Sequence, residues 1–174
     1  MSSTPSPPVA ALIYGTRGIG KTAEVLRTDP TAVIFVPEPG APQAARLWGI
    51  VPRVVVVGDL DDFYTQVRRL IDSGHRTGGV IGDDITVMAA RTETAVRERY
   101  RDPRQLYGAI LDKVGKVIDL LMQAGLPILL TAHDTPAKQD EVTKDLISGG
   151  PSFPGRKAGP RASSQVSVLL RVVP

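Results

Sequence analysis

The sequence predicts an α/β protein with a mainly parallel sheet, and three observations predict it. Short apolar runs alternate with longer amphipathic stretches along most of the chain. Those runs are rich in Val and Ile and lack a polar–apolar alternation. A glycine-rich loop ending in Lys-Thr joins the first apolar run to the first helical stretch. Strands covered on both faces read as continuous apolar runs, and strand–helix alternation is the pattern of parallel sheets with crossover helices.

The elements follow in order. Residues 1–8, with their prolines and serines, predict a disordered arm, and 9–174 a single domain. The predicted strands are VAALIY (9–14), TAVIFV (31–36), RVVVVG (53–58), GGVIG (78–82), LPILLTA (126–132) and QVSVLLRVV (165–173). A first helix is expected from Gly20 to about Thr28. A second is capped by Asp59 or Asp61 and carries Phe63, Val67, Leu70 and Ile71 on one face. Asp102-Pro103 opens a third, with Leu106, Ile110, Leu111, Val114, Val117, Ile118 and Leu121 on its apolar side and Gly125 at its end. Between His133 and the last strand the chain reads as polar, then as a loop dense in Gly, Pro and basic residues.

Composition bounds the function. With 174 residues, 42% hydrophobic and 22% charged, the chain can bury one proper core. A net charge of +3 is too small to imply nucleic-acid binding by itself. The lack of cysteine excludes disulfides, thiolate chemistry and Cys-based zinc sites. The longest apolar runs are far short of the ~20 residues of a membrane span, and the first residues do not resemble a secretory signal. A cytoplasmic protein is expected.

The chemistry begins at GTRGIGKT. Gly15-x-x-x-x-Gly20-Lys21-Thr22 is the full P-loop pattern. Its glycines permit positive φ, so the backbone N–H groups of Gly15, Thr16, Arg17, Gly18, Ile19 and Gly20 can cradle phosphate oxygens. Lys21 is expected on the β- and γ-phosphates of ATP, Thr22 on Mg²⁺, and the helix N-terminus adds its dipole. Arg17 places a bulky cation in this loop. GGVIGDD supplies the acidic strand end, where Asp83 is expected to hold Mg²⁺ through a water. Two carboxylates could orient the attacking water: Asp84, directly after Asp83, and Glu38, which ends the second strand in FVPEPG. All strand C-termini of a parallel sheet meet at one edge, so both can face the γ-phosphate. The strand ending LPILLTAHD brings Thr131 and His133 to that edge as candidate γ-phosphate contacts. His75, in the SGHRTGG turn, carries no expected chemistry.

This order of features resembles the RecA-like ATPases. More narrowly it is similar to the phage-type nucleotide-binding AAA proteins, some of which are RecA-like single-strand annealing proteins. LIYGTRGIGKT, AVIFVPEPG, VVVVGDLDDFYTQVRRLI with GVIGDDITVM, and ILLTAHD carry the likeness, which spans about residues 9–173. The resemblance implies that Glu38 is the catalytic base and Asp83 the Walker B aspartate. Family members commonly have serine where Asp84 stands, which leaves Glu38 and Asp84 both open as the base. It further implies a Mg²⁺-dependent ATPase acting on DNA, single-stranded or duplex, and assembling as a ring or filament. An arginine finger would come from a neighbouring subunit. GGPSFPGRKAGPR resembles the late loop that contacts a neighbour's nucleotide or DNA, so Arg156, Lys157 and Arg161 are its candidates.

Other classes remain open. One is the ATPase of a phage packaging motor, although the nuclease domain that normally follows is lacking. A P-loop kinase is another, with RTETAVRERYRDPR (91–104) as an arginine-rich lid, although that run reads better as an exposed helix face. A GTPase is disfavoured because no N-K-x-D motif occurs. A scaffold that binds nucleotide as a switch and barely hydrolyses it is the non-enzymatic alternative.

Overall fold

The computed structural model describes residues 8–16, 18–29, 31–39, 46, 49–74, 77–135, 138–139, 146–147, 149–153 and 164–173. The expected disordered arm, apart from Pro8, lies outside them, as do Arg17, His75, Arg156, Lys157 and Arg161.

Six strands lie side by side in the order β3-β2-β4-β5-β1-β9. They are β1 (Ala10–Gly15), β2 (Val33–Val36), β3 (Arg53–Val56), β4 (Val80–Gly82), β5 (Ile128–Thr135) and β9 (Val168–Val172), and every neighbouring pair is parallel. β8 (Gly150–Pro151) completes a seven-stranded sheet by pairing antiparallel with the far end of β5. β6 (Lys138–Gln139) and β7 (Leu146–Ile147) pair apart from it.

Each central strand feeds two cores because successive side chains point to opposite faces. Val33 and Phe35 of β2 face one side, with Leu12, Val80, Leu130 and Ala132, under α2 (Leu60–Asp72), α3 (Ile85–Val96) and α4 (Pro103–Gln123). Ile34 and Val36 face the other, with Ile81, under Val25 and Leu26 of α1 (Lys21–Thr28). Double coverage explains the unbroken apolar runs. The expectation fails at the two edges. Val56 of β3 is 53% exposed and Leu170 of β9 49%, so these two edge strands lack the double cover of the central ones.

The helix starts follow their signals. Asp59, and not Asp61, caps α2 by accepting from the N–H groups of Asp61 and Asp62. Asp102 caps α4 with Pro103 at its start, and all seven apolar residues expected on its inner face are buried. Gly125, at φ 72°, ends the segment in the left-handed region that glycine enters at no steric cost.

Two segments differ from the sequence reading. The run 91–104 is not one exposed helix face: Arg91 to Val96 belong to α3, Thr92 and Val96 are buried, and Arg97–Arg99 form a 3₁₀ turn. The chain after His133 is also not all loop. β5 continues to Thr135, where Asp134 pairs with Pro151 and Thr135 with Gly150. Proline lacks the N–H of a central strand, so Pro151 fits only this short outer pairing.

Candidate functional site

The C-terminal ends of β1, β2, β4 and β5 share one edge, and the chemistry gathers there. β1 runs into the P-loop. Gly18 and Gly20 take φ of 81° and 91°, conformations that a side chain would strain, and Gly20 precedes the first residue of α1. Lys21 is 8% exposed and its ammonium donates to the carbonyls of Gly15, at 2.9 Å, and Thr16, at 3.0 Å. The cation thus spans the loop that it follows.

Gly15 sits between two strands, with His133 of β5 opposite on one side and Val172 of β9 on the other. A Cβ on Gly15 would come within 2.6 Å of the Val172 carbonyl oxygen. Glycine is needed there for close approach rather than for a special φ.

β4 ends at Gly82, where a Cβ would lie 2.9 Å from Leu130 and 3.0 Å from the Phe63 ring. That ring packs on Phe35 with centroids 5.2 Å apart. The close packing delivers Asp83 to the floor of the site, 5% exposed, with its N–H donating to Phe35 O at 2.9 Å. One Asp83 carboxylate oxygen accepts from the Thr22 hydroxyl at 2.7 Å, and the other from the Thr131 hydroxyl. A buried carboxylate is tolerated when its lone pairs are met in this way. Among the described residues no cluster of three or more His, Cys, Asp or Glu forms a metal site. The donor set is instead a hydroxyl and a carboxylate in contact. These hard oxygens fit Mg²⁺, which takes few protein ligands and keeps water or phosphate oxygens for the rest.

The peptide between Asp83 and Asp84 is cis. Asp84 is the N-cap of α3: one oxygen accepts from Thr86 N at 2.7 Å, and the other lies 2.6 Å from His133 Nε2. Burial, first of all, pushes the Asp84 carboxyl above its ordinary 3.8; nearby Asp83 adds to this, while His133 and the Thr86 N–H act against it. Thr86 extends the set. Its hydroxyl accepts from His133 N at 3.0 Å and donates to Ser152 O at 2.8 Å, and Ser152 N donates to His133 O at 2.7 Å.

Glu38 stands apart. It follows β2 between Pro37 and Pro39 with its side chain 64% exposed, and its carboxylate lies 3.5 Å from Arg91 of α3. Arg91 also donates to Pro37 O at 3.0 Å.

Lys21, Thr22, Asp83 and Thr131 are therefore brought together, with Asp84 and His133 paired next to them. The sequence reading missed Thr86 and Arg91. Thr86 lies two residues after a capping aspartate. Arg91 lies seven after it, two helical turns on, a spacing readable only once α3 is recognised. A further pair at this edge joins Arg171 of β9 to Asp134 of β5 at 2.7 Å.

No protein-family model matches the chain, and no curated protein does. Solved structures do. A KaiC-like protein from the hyperthermophilic archaeon Pyrococcus horikoshii OT3 is 15% identical, with a TM-score of 0.53 over 95% of this chain and 74% of its own. The RadB recombinase is 17% identical, with a TM-score of 0.55 over 97% of this chain and 77% of its own. With the parallel strand order and helices on both faces, these likenesses show that the chain has the RecA-like P-loop nucleoside-triphosphatase fold.

Proposed function

We propose that this protein is a Mg²⁺-dependent ATPase whose hydrolysis drives work on DNA, of the recombination or strand-annealing kind found in the phage proteins that its sequence resembles. The observation that carries the reading is the contact of Thr22 with Asp83 directly beside Lys21. It joins a P-loop hydroxyl to a strand-end carboxylate 61 residues away in sequence, as a phosphate-and-metal site requires.

The P-loop amides of residues 15–20 and the N-terminus of α1 bind the phosphates. Lys21 exchanges its loop carbonyls for β- and γ-phosphate oxygens. Thr22 and Asp83 would hold Mg²⁺, which would supply charge neutralisation to the phosphates. Glu38 accepts a proton from the attacking water as its oxygen bonds to the γ-phosphorus and the bond to ADP breaks. Asp84 caps α3 and orients His133, whose imidazole contacts the γ-phosphate side of the site. An arginine from a neighbouring copy, Arg156 or Arg161, completes the charge balance in an oligomer. The solved RadB recombinase supports recombination over the other DNA roles. The exposed run Arg99, Arg101 and Arg104, before and at the start of α4, offers phosphate contacts to DNA.

The test is ATP turnover with and without single-stranded DNA. Turnover stimulated by DNA and lost in Lys21→Ala supports the proposal. Strand annealing without nucleotide, or phosphate transfer to a small acceptor, overturns it.

A further inference from the structure

Glu38 is badly placed to hold a fixed position by itself. Its side chain is 64% exposed, and it lies between two prolines, neither of which has an N–H to anchor the β2 tip. A flexible carboxylate at a surface turn samples several rotamers, and misplacing a reacting group by about 1 Å costs about 10²-fold in rate. One side chain answers this. The Arg91 guanidinium donates through Nη1 to Pro37 O at 3.0 Å and approaches the Glu38 carboxylate through Nη2 at 3.5 Å. One planar fork therefore engages both the backbone just before Glu38 and its side chain.

The base of the fork is rigid. α3 is held in the core by Ile85, Met88, Ala89, Thr92 and Val96, and its N-cap is Asp84, the neighbour of Asp83. From that cap to Arg91 the helix rises about 10 Å. The helix thus measures the position of the β2 tip from the same point that fixes Asp83. An ion pair this exposed contributes little to folding, so stability does not account for it.

We propose that Arg91 is a positioning residue that sets the Glu38 carboxylate for activation of the attacking water; the inference rests on the reading of Glu38 as that base. The test compares Arg91→Ala, Arg91→Lys, Glu38→Gln and the double variant Arg91→Ala/Glu38→Gln in the full chain. Turnover, binding of a fluorescent ATP analogue and thermal denaturation are measured for each. Arg91→Ala is expected to lower kcat about 10- to 100-fold while KM stays within about threefold. Its melting temperature and analogue affinity stay those of the parent. Lysine, which keeps the charge and loses the fork, recovers part of the rate. In the Glu38→Gln background, removing Arg91 costs less than about twofold more, because both act through one group.

Parent-like or faster turnover in Arg91→Ala, with Glu38→Gln inactive, overturns the role of Arg91 and leaves Glu38 as the base. Multiplying effects in the double variant overturn it too, as does loss of melting temperature and analogue binding in both Arg91 variants. Parent-like turnover in Glu38→Gln overturns the base assignment, and the Arg91 role falls with it.

Discussion

Two parts of the same sheet edge are built in opposite ways. Below the P-loop, Lys21, Asp83 and Thr131 are buried, and with Thr22 each of them has a close hydrogen-bonding partner from the loop or another strand. At the β2 tip, Glu38 and Arg91 are solvent-exposed and meet at 3.5 Å. The first part is assembled by folding itself, since its polar groups have no water to fall back on. The second is assembled by a surface contact that folding does not need. On the proposed function, binding of phosphate is built into the core and the chemistry is hung at its rim.

The largest effect is expected from Lys21→Ala, which strikes the buried part. Its kcat/KM for ATP should fall by at least about 10³-fold, with weaker binding as well as slower turnover. A steady-state assay that finds binding intact would break the comparison, because the core would then not be the binding part. Glu38→Gln comes next. It should lower kcat by about 10²- to 10³-fold and leave nucleotide affinity in place. Asp84→Asn, whose two oxygens are engaged by Thr86 and His133, should lose less than about tenfold. Equal losses in the two variants would move the base to the buried side.

A stability pair sharpens the contrast. Thr131→Val keeps the shape but takes a donor from buried Asp83 and should cost about 1–3 kcal/mol in urea denaturation. Arg91→Ala should cost less than about 1 kcal/mol by the same measurement. If the order is reversed, the rim holds the fold together.

The smallest effect concerns pH. Burial raises the Asp84 carboxyl above 3.8, so the folded state binds that proton more tightly than the unfolded state does. The stability it contributes is fully present below the unfolded value and is lost as pH rises through the raised folded one. In EDTA without nucleotide, Asp84→Asn should therefore gain on the parent protein between acid and neutral pH. A difference in urea midpoint that stays flat with pH would show that desolvation does not govern this carboxylate.

Much of this was legible in the sequence, for identifiable reasons. The P-loop, the caps at Asp59 and Asp102 and the seven inward residues of α4 are local patterns, and local patterns survive folding unchanged. That Glu38, Asp83 and His133 lie toward one edge was readable because the C-terminal ends of parallel strands share it, although β5 runs on past His133 to Thr135. What escaped depends on partners distant in sequence. β3 and β9 carry runs as apolar as the centre, yet only sheet order makes them edges. The role of Thr92 in α3 depends on the N–H of Leu60, which donates to its hydroxyl at 3.0 Å. Arg91 pairs across 54 residues with Pro37, so no window along the chain contains the contact.

The narrow gap between Gly15 and Val172 has a consequence for how the molecule is made. β1 precedes both of its sheet neighbours, β5 and β9, by more than 100 residues of chain. The first strand must wait, apolar and unpaired, until those strands arrive, and such distant pairings are the slow steps of folding. β9 then docks against the first glycine of the P-loop. The gap beside Gly15 therefore closes only when β9 pairs with β1, so this packing of the loop is a late, long-range event of folding.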